Sequence, residues 1–162
     1  MPRLAFACVA LAALATPLAA KESLGIFSGW GAFRDPSLPR CYAISEAEPS
    51  ERQRDFQPYA TIGNWPARRI KGQVHFRLSR QMRDNARVTL RVGRRSFVLA
   101  GGKADAWARD RTMDAAIAAA IRSADSMTIY ATDNRGRRFS NTYRLAGAAT
   151  AMDAATIACA RR

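Results

Sequence analysis

The chain has 162 residues, 48% of them hydrophobic, and a formal net charge of +13. That is the length of one ordinary domain with enough apolar material for a core. Three cysteines without a CxxC pair leave thiol redox catalysis without its motif, and the excess of basic residues speaks to solubility and anion encounter without naming a ligand.

Residues 1–20 read as a secretory signal peptide. One positive charge at Arg3 precedes an unbroken apolar run over residues 4–14 (LAFACVALAAL), and TPLAA supplies the break and the small residues before a cleavage expected after Ala20. The run is too short for a bilayer-spanning helix, which needs about 20 apolar residues. Cys8 lies too early in that run to be a lipoprotein cysteine. Processing would leave residues 21–162 as a single periplasmic or secreted domain, its charge reduced to +12 by the loss of Arg3. Two cysteines then remain, Cys41 and Cys159, 118 positions apart. In an oxidising compartment such a pair is expected to form a disulfide joining the first strands to the last helix, the alternative being two buried thiols.

Along the mature chain, residues 21–24 read as a frayed start and residues 26–33 (IFSGWGAF) as one strand bent at its glycines. Pro36 and Pro39 mark a turn, and residues 40–45 alternate as a second strand with Cys41, Ala43 and Ser45 on one side. The polar stretch 46–57 (EAEPSERQRDFQ) reads as a mobile surface loop. Strands follow at 59–65, stopped by Pro66, and at 73–79, after the basic connection 67–72. In the latter strand Val74, Phe76 and Leu78 alternate with His75, Arg77 and Ser79. Residues 87–92 and 96–100 form a hairpin about Gly93-Arg94-Arg95, and residues 104–108 a connection anchored by Trp107.

A helix is expected over about 112–124, capped by Thr112, with Met113, Ala116, Ile117, Ala120 and Ile121 on its apolar face. Residues 127–132 and 137–145 form a second hairpin about Asp133-Asn134-Arg135-Gly136. A terminal helix over about 150–160 places Met152, Ala155 and Cys159 on one face. A weak echo relates Gly93-Arg94-Arg95 to Gly136-Arg137-Arg138 and Met113-Asp114-Ala115-Ala116 to Met152-Asp153-Ala154-Ala155, which either a duplication or alanine-rich coincidence would produce. These patterns predict a mainly β fold, an antiparallel β-sandwich-like single domain with two short helices.

Catalytic constellations are sparse. His75 is the only histidine and reads as a solvated surface residue; no GxSxG nucleophile turn accompanies it, and the cysteines are better paired with each other than with zinc. Glu46, Glu48, Glu51 and Asp55 could supply paired carboxylates, but all lie in the polar loop. Trp30, Trp65 and Trp107 could stack sugars or peptides, or simply pack. The expectation is therefore no catalytic residue, no cofactor and no metal.

Basic residues are almost all arginine, with lysine only at Lys21, Lys71 and Lys103. A GC-rich genome would produce that bias, and so would selection for anionic surfaces. On the second reading Arg94, Arg95, Arg137 and Arg138 gather at one end of the sheet as an anion-binding rim. Partners would be anionic envelope or host-surface components, with peripheral membrane contact and no nucleic acid. Alternatives are a small periplasmic hydrolase acting on envelope polymers, or a protein-binding inhibitor or chaperone-like module that pairs along a sheet edge.

Several short motifs, Phe27-Ser28-Gly29-Trp30, Cys41-Tyr42-Ala43-Ile44, Arg95-Ser96-Phe97-Val98-Leu99 and Tyr143-Arg144-Leu145-Ala146-Gly147, stand in that order after the signal peptide, with alanine-rich helices near 115–127 and after Gly147. This arrangement resembles the invasion-associated locus B family of exported alphaproteobacterial proteins. It departs in lacking cysteines between Cys41 and Cys159, and in having Ala148 where an aromatic residue is common. The resemblance implies an exported protein associated with the cell surface and supplies no catalytic residues.

Overall fold

A computed structural model describes residues 20–52 and 54–160; the signal-peptide stretch, Ala20 excepted, lies outside the described residues. Ten antiparallel strands form one hydrogen-bonded sheet. They are β1 (Glu22–Phe27), β2 (Trp30–Asp35), β3 (Arg40–Glu46), β4 (Tyr59–Trp65), β5 (Ile70–Arg77), β6 (Val88–Val92), β7 (Arg95–Gly102), β8 (Asp105–Trp107), β9 (Ser126–Thr132) and β10 (Arg138–Arg144). Helix α1 (Arg111–Ile121) follows β8, and α2 (Ala148–Ala160) follows β10. The order across the sheet is β1-β2-β3-β4-β5-β8-β7-β6-β9-β10. The expected mainly β, sandwich-like single domain is what the chain forms.

Strand β7 makes the corner. Its first half pairs with β6 and its last three residues with β8, so the sheet bends there and its two ends face each other. Inward residues alternate as a half-buried strand requires: Val88, Leu90 and Val92 on β6, Met127, Ile129 and Ala131 on β9, Val74 and Phe76 on β5. They meet in one core, where the Phe76 and Tyr143 rings from opposite halves lie 5.9 Å apart. Helix α2 covers β1–β4 from the inner side, and α1 covers β5–β7. The buried Asp114 carboxylate of α1 accepts the Val74 N–H at 2.8 Å, satisfying a backbone donor on the part of β5 that extends past the short β8.

The two terminal segments are joined covalently. Cys41 on β3 and Cys159 in the last turn of α2 form a disulfide with Cα atoms 5.8 Å apart, across 118 positions. The helical phase that grouped Met152, Ala155 and Cys159 is the reason: all three are buried against the strands.

Four local expectations change. Residues 26–33 are not one bent strand but a hairpin, β1 and β2 joined by Ser28-Gly29, with Phe27 directly opposite Trp30 and Ser28 in the left-handed region (φ +53°). Residues 22–24, expected to fray, are paired as part of β1. Residues 105–107, expected to be a connection, form β8, because a three-residue strand is too short to show alternation. The cap of α1 is Asp110, whose carboxylate accepts the Met113 N–H at 2.8 Å, two residues before Thr112. The polar stretch after β3 is irregular but tethered: Glu48 N–H donates to Thr142 C=O at 2.7 Å, and Asp55 and Phe56 N–H to Ser79 C=O at 2.8 and 3.2 Å. It straps the edge of β10 to the end of β5.

Candidate functional site

The β9–β10 turn is organised by one buried carboxylate. Asp133 Oδ1 accepts the Arg135 and Arg137 N–H groups at 3.0 and 2.8 Å, while Oδ2 accepts from the guanidinium groups of Arg80 and Arg137, each at 3.1 Å. Burial pushes this carboxyl up, and the two backbone donors and the arginines more than offset that, leaving it below its ordinary 3.8. A carboxylate lowered by folding contributes stability above its unfolded pKa and loses it as pH falls through the folded value. Asp133→Asn should therefore lower the melting temperature at pH 7. The gap to the parent should close progressively in melts taken below about pH 4; a gap independent of pH would contradict this role.

Around that turn the chain assembles exposed arginines. The Met82–Asp133 bridge, the Arg83 N–H to Thr132 C=O bond and the Asn134 N–H to Gln81 C=O bond hold the 81–83 segment against it. Arg83, Arg87, Arg135, Arg137 and Arg138 are exposed on these segments, against the exposed carboxylate of Asp84 alone. Their placement on the outer sheet face follows from register. Thr89 pairs with Tyr130 and Tyr130 with Ser140; Arg87 lies two residues before Thr89, just outside β6, while Arg83 meets Thr132, whose other side pairs with Arg138. Arg87 and Arg138 thus flank the end of β9 from its two sides. Between them is a cavity of about 430 Å³ lined by Arg87, Thr89, Tyr130, Thr132 and Arg138, and no carboxylate lines it. On the other side of Arg87, a second cavity of about 450 Å³ is shared with Arg109.

This is chemistry for an anion. Arg87 and Arg138 line the first cavity together with Thr89, Tyr130 and Thr132, and neither guanidinium has an ion-pair or hydrogen-bond partner among the described residues.

The four arginines expected to form one rim do not. Val92 and Met127 pair at the start of β9, beside the Arg94-Arg95 turn, whereas Thr132 and Arg138 pair at its end. Five residues of strand, about 17 Å, separate the two turns. Antiparallel chain direction puts successive hairpin turns at opposite ends of a strand, and that reasoning overrides the shared Gly-Arg-Arg motif. Arg95 instead donates to Ala116 C=O at 3.3 Å and lies over Phe97, in a cleft that also holds Asp125. Arg94 lines the same cleft. Arg137 is spent on Asp133. Only Arg138 joins the cationic pocket, with Arg87 as the partner that the doublet motif did not flag.

The remaining candidates separate. Glu46 and Glu48 line one cleft of about 570 Å³ with Ser45 and Arg144, but Glu48 is paired with Arg144 at 3.1 Å and Glu46 accepts from Gln57 at 3.0 Å. Glu51 and Asp55 are not part of that cleft. Trp30 is buried, its indole N–H donating to Arg144 C=O at 2.8 Å, and Trp65 is half-buried near the Arg40 guanidinium. Trp107 is exposed. His75 is not simply solvated: its Nε2 lies 2.9 Å from Asp105 Oδ1, and its ring packs on Trp107 at 5.2 Å. Among the described residues no three His, Cys, Asp or Glu side chains gather to hold a metal ion, and no helix is long and apolar enough to cross a membrane. Comparisons with family models, curated proteins and solved structures return no match.

Proposed function

We propose that this chain is an exported, non-enzymatic protein of the invasion-associated locus B type that engages anionic cell-surface components through its basic outer face. The observation that carries the reading is the carboxylate-free pocket between Arg87 and Arg138, set in a field of further exposed arginines. Single exposed charge contacts are worth little, so useful affinity requires several acting together, and this surface supplies them. The disulfide supports an oxidising compartment, in keeping with the leader over residues 1–20.

The test is a paired charge reversal. Arg87→Glu with Arg138→Glu should weaken binding to lipopolysaccharide vesicles by about tenfold or more at physiological salt. Arg94→Glu with Arg95→Glu, at the other end of the strand, should change it far less. Equal losses in the two double variants would show that overall charge alone drives binding, and would overturn the site. Binding that persists in molar salt would instead favour partner pairing along the β1 edge.

A further inference from the structure

We infer that Trp107 and the Arg87–Arg138 pocket form one track for a linear acidic polysaccharide, with a sugar ring on the indole and carboxylates in the arginine forks. This rests on the anion-binding reading and names the ligand class it serves. Strand order places the components one after another around the outer face, over the corner that β7 makes. Thr61 pairs with His75, His75 with Trp107, and Trp107 with Ala100. Val88 pairs with Leu99, and Arg87, the residue just before β6, shares one cavity with Leu99 and Arg109 and another with Thr132 and Arg138. From Trp107 to Arg87, counted over the corner, is a step of about two strand spacings, roughly 10 Å, and Arg87 shares its other cavity with Arg138. A disaccharide unit has the length of such a step.

The intervening residue is Ala100, exposed and too small to obstruct a chain lying across it. Arg109, two residues after Trp107, shares the cavity beside Arg87 and carries positive charge along the gap. Tyr130, 43% exposed, adds an aromatic surface within the pocket itself.

The indole is held from its β5 side. His75 packs against it, Asp105 bridges His75 at 2.9 Å and Arg77 at 2.7 Å, and the Arg77 guanidinium covers Phe56 at 4.3 Å. The Tyr59 ring closes the other side of His75 at 5.9 Å. A half-exposed aromatic fixed by a bonded polar network offers a rigid face at little ordering cost, as binding of a ring requires. Among other exposed large apolar residues, Ile26 lies on β1, Leu38 in the β2–β3 turn and Ile157 on α2, none of them on this row. Basic groups and flat rings without an apolar margin favour a charged, ring-bearing polymer over a bilayer.

The experiment compares polygalacturonate oligomers with polyphosphate of equal charge, which has no rings. Trp107→Thr, which retains a strand-forming residue in β8, should lose about tenfold in affinity for the oligogalacturonates and keep its affinity for polyphosphate. Trp107→Tyr should restore most of the loss. Arg87→Glu with Arg138→Glu should weaken both ligands. Affinity should climb with oligomer length until the chain reaches from Trp107 over the β7 corner to the cavity that Arg87 and Arg138 share. Equal behaviour of Trp107→Thr and the parent on both polymers overturns the track while leaving the anion pocket standing. Insensitivity of both polymers to the arginine reversal overturns the pocket itself. Tighter, Trp107-dependent binding of a single-stranded oligonucleotide of equal charge also overturns the assignment to polysaccharide.

Discussion

Replacing Cys41 and Cys159 together by alanine should lower the melting temperature by on the order of 15 °C. The bridge closes a loop across 118 positions, and on the chain-entropy account a loop of that size is worth roughly 4–5 kcal/mol through restriction of the unfolded chain. For a domain of this length each kcal/mol corresponds to about 3–5 °C. Position adds to the effect: the bond fastens the last turn of α2 to β3, and α2 covers four strands of one half-sheet. Reductant added to the parent should reproduce the shift of the double variant. Melting within two or three degrees of the parent in both cases would mean that helix packing holds the terminus without help.

Gly147→Ala should be more damaging than any exposed substitution, costing about 3 kcal/mol or more. The residue has φ +84°, where an L side chain is strained, and an added Cβ would sit 1.9 Å from the Phe27 carbonyl oxygen and 2.5 Å from its carbon. Neither is the end of a flexible side chain. To admit a methyl group, β1 or the entry to α2 must move, and Ala148, Ala151 and Ala155 are buried behind it. Gly72→Ala is the control: it also has positive φ, at +65°, but nothing within 4 Å of the added atom. It should cost only the backbone strain, of order 1 kcal/mol. Equal chemical-denaturation midpoints for the two variants would refute the close-approach account.

The asymmetry between these glycines is invisible in one dimension, where each is a glycine next to an expected element. Its meaning depends on β1, 120 positions earlier, arriving at the same place. Trp107 was similar. It lies in a three-residue strand whose pairing with β5 and with the end of β7 sets it over His75, and none of that is local. Asp105 carries no motif either, yet it becomes the link between His75 and Arg77.

What the sequence determined by itself is what short-range physics controls. Period-two alternation marked the inward faces of β5 and β6, because a pleated strand turns successive side chains to opposite sides. Period 3.6 marked the buried faces of both helices and turned Cys159 inward, which together with the even cysteine count made the Cys41–Cys159 bridge legible. Glycine and polar turn residues located both Gly-Arg-Arg hairpins.

Only the tertiary structure decided which of those turns share an end of the sheet, and so which arginines can act together. Strand order and register are long-range properties: they brought Arg87, from a segment with no basic doublet, beside Arg138, and carried Arg94 and Arg95 to the opposite rim. A cationic cavity of this kind is made by the order of strands. Arg87, just before β6, and Arg138, on β10, come together because β6 and β10 flank β9, and no periodicity within any one strand encodes that order.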